Sequence, residues 1–403
     1  MDQEAKLEID DFRGIGARYF DSAADPYPLF DGLRATAPIW VAPWGDIFLS
    51  RYDDVRQVLA DKTLVAMSPQ RAIELWSEMP RSTINDWMLF GEGHAHRFLH
   101  EAFKQPFSPE GMASLQTVVE EVVRECVLEG EIDGECEVVS CFTRSIPERI
   151  ISDLLGFSRE DLPLIRAWSL IIRDDLLDGL FDETRAAAAA APDEMADYFS
   201  DSIARRLRTG AELPPLLSGF DAIIDRLGIQ AAGSDAAFFA LAAHETTVHL
   251  LGNMLYLLAR EPEHWRRLGK DSALIPKAVG EALRLESPVQ KLSRFATEPV
   301  VIGGERIEAG SNFVLLIGAA NRDPDRFAAP HRFDLARRGP PHLAFGRGLH
   351  ACIGRALAEM EAAAVLRFLL PRWSSVEAVE GGARWIANSS FRGLEELRLR
   401  FHA

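Results

Sequence analysis

The chain has 403 residues, with 44 Lys and Arg against 61 Asp and Glu, a formal net charge of −17 and 47% hydrophobic residues. That length and apolar content suffice for a large buried core, and the acidic balance argues against nucleic acid as a partner. The polar start MDQEAKLEIDDF does not resemble a signal peptide, and the longest apolar stretches, such as 248–259, fall short of the roughly 20 residues a membrane span needs; a soluble, cytoplasmic protein with no membrane partner is expected.

Helical patterning dominates the chain. Between residues 38 and 51, short apolar runs broken by Pro43 and Gly45 read as a β-hairpin, followed by a helix at Tyr52–Ala60. Residues 66–92, rich in Met, Pro and Trp, read as a long irregular binding loop in which Trp76, Trp87, Leu89 and Phe90 are candidate wall residues. Helices are then expected at His94–Phe103, Gly111–Leu128, Phe142–Leu155, Leu162–Leu177 and Glu183–Leu207. The last contains the run RAAAAAA at 185–191 and is expected to break at Pro192. Paired prolines in 211–220 form the clearest breaker before a long apolar helix, Asp235–Arg260, about 39 Å at 1.5 Å per residue. Short β-like segments cluster at about 291–318 and 384–401, and no internal repeat is visible. The expected fold is mainly α with a minor β part, one large helical domain over residues 1–403 around a buried cofactor.

Four cysteines, Cys126, Cys136, Cys141 and Cys352, show neither zinc spacing nor a disulfide framework, which fits a reducing compartment. Cys352 stands apart. It lies in a glycine-studded loop, residues 345–354, that runs into a helical segment at 355–370. Each neighbour has a physical job if the sulfur is a thiolate bound to iron. Gly346 and Gly348 let backbone N–H groups approach it, and the start of the next helix favours an anion. Phe345 shields it from water, Arg347 and His350 offer donors to carboxylates, and Gly354 lets a flat partner lie close. A buried structural cysteine in a Gly-rich turn is the competing reading of such a residue.

The run Phe345-Gly-Arg-Gly-Leu-His-Ala-Cys-Ile-Gly354 matches F-G-x-G-x-H-x-C-x-G, the haem-ligand signature of the cytochrome P450 superfamily, at all six fixed positions. Further motifs extend the resemblance in order from Pro38 to the end. Leu241-Ala-Ala-His-Glu-Thr-Thr247 is similar to the family's (A/G)-G-x-(D/E)-T, with Ala243 in place of the usual Gly. This resemblance implies that Thr246 hydrogen-bonds dioxygen and that Glu245 feeds protons, with Ala242 beside the haem. Thr246 can also bond the Ala242 carbonyl and locally distort the helix. Glu281-Ala-Leu-Arg284 matches E-x-x-R, an ordinary surface pair on its own, and Pro330-His-Arg-Phe-Asp334 matches P-x-R-F. Together they imply a buried structural triad of Glu281, Arg284 and Arg332. Arg294, His342 and His350 are implied haem-carboxylate partners. Phe107-Ser-Pro109 sets a register in which His96 takes the family's His position and His100 its Arg position.

The resemblance implies haem b as cofactor, with Cys352 as the iron ligand. It also implies electrons from NAD(P)H through a reductase and a ferredoxin-type donor. Residues 331–360 carry Arg332, Arg337, Arg338, Arg347 and Arg355 against Asp334 and Glu359, either scattered surface arginines or a docking face for that acidic donor. Alignment to family positions draws a substrate pocket from Phe238, Leu241, Ala242, Gln290, Leu292, Ser390 and Phe391. Strand alternation from Arg294 turns Gln290 and Leu292 inward and Lys291 outward. The implied enzyme is a bacterial monooxygenase that hydroxylates or epoxidises a hydrophobic or aromatic small molecule, tailoring a secondary metabolite, and working as a monomer. A peroxygenase, isomerase or oxidative coupling enzyme is the alternative, and a non-enzymatic haem sensor leaves Glu245 and Thr246 without a purpose. The ligand assignment predicts a red-shifted Soret band in the reduced carbonyl complex that Cys352→Ser abolishes. A variant that keeps the band refutes it.

Overall fold

A computed structural model describes residues 25–66, 87–89, 91, 93–132, 134–173 and 185–403. Helix α1 (Tyr27–Thr36) leads into the expected hairpin of β1 (Ile39–Val41) and β2 (Ile47–Leu49), then α2 (Tyr52–Ala60) and a short β3 (Leu64–Val65). Helices α3 (Gly93–Phe103) and α4 (Pro109–Glu129) follow; Ser108 caps α4, its Oγ accepting from the Gly111 N–H at 3.1 Å, with Pro109 in the first turn. Strand β4 (Glu135–Glu137) and a π-helical turn (Val139–Thr143) run into α5 (Ser145–Leu155). Next come α6 (Leu162–Ile171), α7 (Arg185–Thr209) and α8 (Phe220–Leu227). The helix expected at 162–177 is seen through residue 173; its remainder, like Trp76 and Phe90, lies outside the described residues.

Helix α7 does not break at Pro192 but passes through it. One missing N–H removes a single rung of the ladder, and packing of α7 along the helix that follows α8 holds the rest in register. That helix, α9 (Ile229–Arg260), has 32 residues and is about 48 Å long. It is apolar on all sides and buried accordingly, with α5, α7 and α8 packed around it.

Helices α10 (Pro262–Lys270) and α11 (Ile275–Leu285) lead into β5 (Lys291–Ala296), β6 (Val300–Ile302), β7 (Glu305–Ile307) and β8 (Asn312–Leu316). A single turn, α12 (Ile317–Ala320), a long irregular segment and α13 (Arg355–Leu369) precede β9 (Ser375–Trp385) and β10 (Leu394–His402). One sheet has the order β1-β2-β8-β5-β3, with β2 and β8 parallel and the other pairs antiparallel; β4-β10-β9 and β6-β7 form two smaller sheets. The last β region begins at Ser375, earlier than the expected 384. Strand β9 is an edge strand with most side chains partly or fully exposed, so it lacks the alternation that marks a half-buried strand.

A charged brace joins α11 to the segment that leads to Cys352. Arg284 holds both Glu281 carboxylate oxygens at 2.8 Å, and its Nη1 also donates to the carbonyls of Asn321 and Pro330. The third member of this triad is Arg337, not Arg332. Arg337 Nε donates to Glu281 Oε1 at 2.7 Å, whereas Arg332 contributes only its carbonyl, which accepts from Arg284 and Arg337, and turns its side chain to solvent. The turn closed by the Arg337 N–H on the Asp334 carbonyl folds Arg337 back onto Glu281. Arg337→Ala should therefore cost about 1.5–3 kcal/mol in denaturant unfolding, the range for a hydrogen bond to a charged group. Arg332→Ala should stay within about 0.5 kcal/mol of the parent. Equal losses in the two variants would contradict the assignment.

Candidate active site

The loop before α13 is tied across its base, with the Cys352 N–H donating to the Phe345 carbonyl at 2.9 Å and Ala351 N–H to Gly348 O at 3.2 Å. Gly346 and Gly348 have φ of +65° and +78°, which a side chain resists. Gly348 has a second reason to be glycine, since a Cβ there would lie 2.5 Å from the Leu59 carbonyl of α2. Its role is thus to seat the loop against α2. The thiol points at the N-terminus of α13. Burial pushes it up from its ordinary pKa, while the N–H groups of Gly354 and Arg355 and the Arg355 guanidinium favour the thiolate. The sulfur lies deep in the protein, yet Cys352 keeps free surface. A group that is deep but not covered looks into an internal cleft.

Helix α9 supplies a matching wall. From Ala232 to Leu255 every residue is buried except Phe238, Ala242, Ala243 and Thr246, and three of these recur at four-residue spacing on one face. Thr246 Oγ1 donates to the Ala242 carbonyl at 2.8 Å, as expected, but α9 remains an uninterrupted α-helix there. Leu241 is buried in the main core, off this face. Trp87 packs on Phe238 with ring centroids 5.4 Å apart, and the Met88 N–H donates to Asp235, so this part of the 66–92 segment docks on α9; Leu89 is half-buried beside it.

Glu245 is buried beside Thr246 and sits among one arginine and two histidines. Arg173, two residues beyond α6, donates from Nη1 to Glu245 Oε2 at 2.7 Å; His244 Nε2 is 3.1 Å from Oε1 and His249 Nε2 is 3.8 Å from Oε2. Burial alone would raise the carboxyl, but these three neighbours outweigh it and hold Glu245 well below the usual carboxylate range. Burial likewise opposes charge on His244, and the nearby Glu245 carboxylate and the bond to the Ala240 carbonyl raise it nonetheless. His249 is pushed down to about 4 by burial and is neutral at pH 7. Arg173, His244 and His249 are the residues that motif reading passes over. The histidines had a visible signal, two titratable rings flanking an acid–alcohol pair inside an apolar helix, while Arg173 lies 72 positions away from its partner.

On the other side of the cleft, three histidines meet. His96 and His100 of α3 have ring centroids 5.8 Å apart, and His96 packs against His350 of the cysteine loop with centroids 4.4 Å apart and the rings tilted by 56°. Arg294 of β5 is buried, its Nη1 donating to the Ser293 carbonyl. His342 is not part of the histidine group: its ring packs on Phe345, its Nδ1 accepts from the Ala344 N–H, and burial with the charges of Arg355 and Arg284 pushes it down to about 4.

The far wall is formed where the 386–393 turn meets the segment after α11. Ser390 O accepts from Gln290 N–H, Arg392 N–H donates to Pro288 O, and Val289 pairs with Phe391. Ser390 is buried and Phe391 half-buried. Gln290 departs from the expectation. It is 1% exposed, and its amide donates to the Ser287 carbonyl at 2.7 Å instead of facing a pocket. Strand alternation cannot be extended to it, because β5 starts only at Lys291, after Pro288 and the turn contact. Lys291 likewise does not point to solvent but donates to Ser389 Oγ, and Leu292 packs against the five-stranded sheet.

The donor set fits a haem. An exposed cysteine stands at a helix N-terminus, α9 carries a half-buried face of small residues, and histidines and a buried arginine offer groups that fit acidic edge groups. Comparison with known proteins agrees with this reading. The family model described as Cytochrome P450 matches residues 234–387. The biotin biosynthesis cytochrome P450 of Bacillus subtilis is 32% identical over 388 residues, covering 94% of this chain and 96% of that protein. The cytochrome P450 monooxygenase PikC of Streptomyces venezuelae is 33% identical over 398 residues, 96% of this chain and 94% of that one. Among solved structures, P450BioI in complex with a hexadecenoic-acid-ligated acyl carrier protein superposes with a TM-score of 0.87 at 29% identity, covering 96% of this chain and 100% of that one.

The neutral burial of His249 has a pH signature. Its folded pKa is depressed, so its contribution is fully present above the ordinary value of 6.5 and is lost as pH falls toward about 4, where the unfolded chain takes up a proton that the buried ring refuses. His249→Asn should flatten the fall in thermal midpoint across that window. An unchanged slope would show that the ring is not buried as described.

Proposed function

The chain belongs to the cytochrome P450 family, whose members are haem-thiolate enzymes, and on that premise we propose that it is a monooxygenase that puts one oxygen atom of O2 into a hydrophobic or aromatic small molecule, tailoring a bacterial secondary metabolite. Haem bound through a thiolate supplies dioxygen activation and oxygen-atom transfer. The observation that carries the proposal is the exposed Cys352 at the N-terminus of α13, together with the half-buried α9 residues Ala242, Ala243 and Thr246.

Cys352 would hold the iron, and His96, His100, His350 and Arg294 would hold the haem carboxylates. Thr246, whose hydroxyl proton is committed to the Ala242 carbonyl, keeps lone pairs available to accept a hydrogen bond in the cleft. Glu245, the residue before it and buried, would hold a proton close to that hydroxyl. Phe238, backed by the buried Trp87, and Phe391 would exclude water and give the substrate an apolar surface. The apolar walls support a hydrophobic substrate, and the family's pairing with ferredoxin-type donors supports a reductase chain fed by NAD(P)H in the cytoplasm. Of the arginines near the cysteine, Arg337 is spent in the brace and Arg355 is paired with Glu359, so the exposed Arg332, Arg338 and Arg347 would form the donor face. Among the described residues no helix is long and apolar enough to cross a membrane.

A panel of candidate metabolites, screened for a shift of the ferric haem band, identifies a substrate. With that compound, Thr246→Ala should lower the product formed per NADPH consumed by about tenfold or more, the lost equivalents appearing as peroxide or water. Unchanged coupling would favour a peroxygenase or isomerase.

A further inference from the structure

The ring of His244 lies between two acceptors. Its Nδ1 is 2.8 Å from the Ala240 carbonyl and its Nε2 is 3.1 Å from Glu245 Oε1, close although not in line for a straight hydrogen bond. A carbonyl and a carboxylate only accept, and a neutral imidazole carries one N–H. Satisfying both contacts therefore takes one more proton, on the ring as imidazolium or on the carboxyl. His244 is two positions before Thr246, about 200° around the helix, so Glu245 stands between it and the cleft.

A second charged pair continues outward. Glu148 of α5 is buried and its carboxylate is gripped by Arg166 of α6, Nε to Oε1 at 2.6 Å and Nη2 to Oε2 at 2.5 Å. The Arg166 side chain is 34% exposed, so this pair reaches solvent. The Glu148 charge acts on His244, and the Glu245 charge on Arg166. Arg173 covers Glu245 from beyond α6. His249 approaches from the next turn of α9, under the charge of Arg144, with its ring so close to Gly393 that a Cβ there would lie 1.9 Å from Nδ1.

We propose that His244 is a proton-holding residue that acts through Glu245: the two share one mobile proton, and Arg173 and His249 steady Glu245. The proton passes from His244 Nε2 to Glu245 Oε1, leaves Glu245 toward Thr246, and is replaced at Nε2 from solvent. No electrons move in these steps. The use of the proton rests on the monooxygenase reading; its presence does not.

The test is nitrogen-15 NMR of histidine-labelled, haem-loaded protein in the diamagnetic reduced carbonyl form, with His244→Gln to assign the resonance. Either both His244 nitrogens carry protons at neutral pH, or Nδ1 alone does and infrared spectra show a carboxylic acid band that Glu245→Gln removes. In Glu245→Gln, the midpoint of His244 should fall by about one to three pH units, the shift an adjacent opposite charge produces. A singly protonated ring beside an ionised Glu245 overturns the proposal, as does a midpoint that Glu245→Gln leaves in place. The carbonyl form separates the two ideas. If its Soret band is not red-shifted, the haem-thiolate reading has failed, whereas a shifted band with a negative NMR result removes this inference alone.

Discussion

A sulfur that would bind iron as an anion is placed where anions are disfavoured, and much of the fold answers that conflict. Burial pushes Cys352 toward the neutral thiol, and the protein opposes this with fixed dipoles: two backbone N–H groups at the start of α13, with Arg355 beside them. Those donors act only if the loop holds its shape. Two glycines at positive φ, the Phe345–Cys352 tie and the seat on the Leu59 carbonyl keep it there. The cysteine is thus positioned for a metal before any metal arrives.

The remaining elements hold the two faces of the cleft at a fixed separation. The Glu281–Arg284–Arg337 brace ties α11 to the segment entering the loop, and the bonds between 288–290 and 390–392 tie the far wall to that same region. Opposite them, α9 accepts residues that weaken a helix, an acid and two threonines, because packing over its length outweighs the local cost. Its small residues leave the gap. The buried acid is then stabilised by three cationic or polar partners in place of water, and the site concentrates its titratable groups beside Thr246.

What was legible in the chain was whatever is encoded locally. The cysteine loop, the α9 apolar pattern and the E-x-x-R pair depend on neighbours within a turn or two, and each lies where the sequence places it. What was not legible depends on how distant segments meet. Arg332 and Arg337 are both plausible partners of Glu281 until the 334–337 turn folds one of them back. Gln290 looks like a strand residue facing inward, but Pro288 and the 390 turn claim its backbone first. Pro192 has the chemistry of a helix breaker and does not act as one in α7. Arg173 reaches Glu245 across 72 residues, which no spacing rule would reveal.

The central claim is that Cys352, held by the N-terminus of α13, binds the haem iron through sulfur. X-ray absorption at the iron edge of purified, haem-loaded protein tests it most directly. The account predicts a sulfur atom in the first coordination shell of the wild-type protein and only nitrogen or oxygen in Cys352→Ala. A wild-type shell without sulfur, or a sulfur that persists in Cys352→Ala, would contradict it.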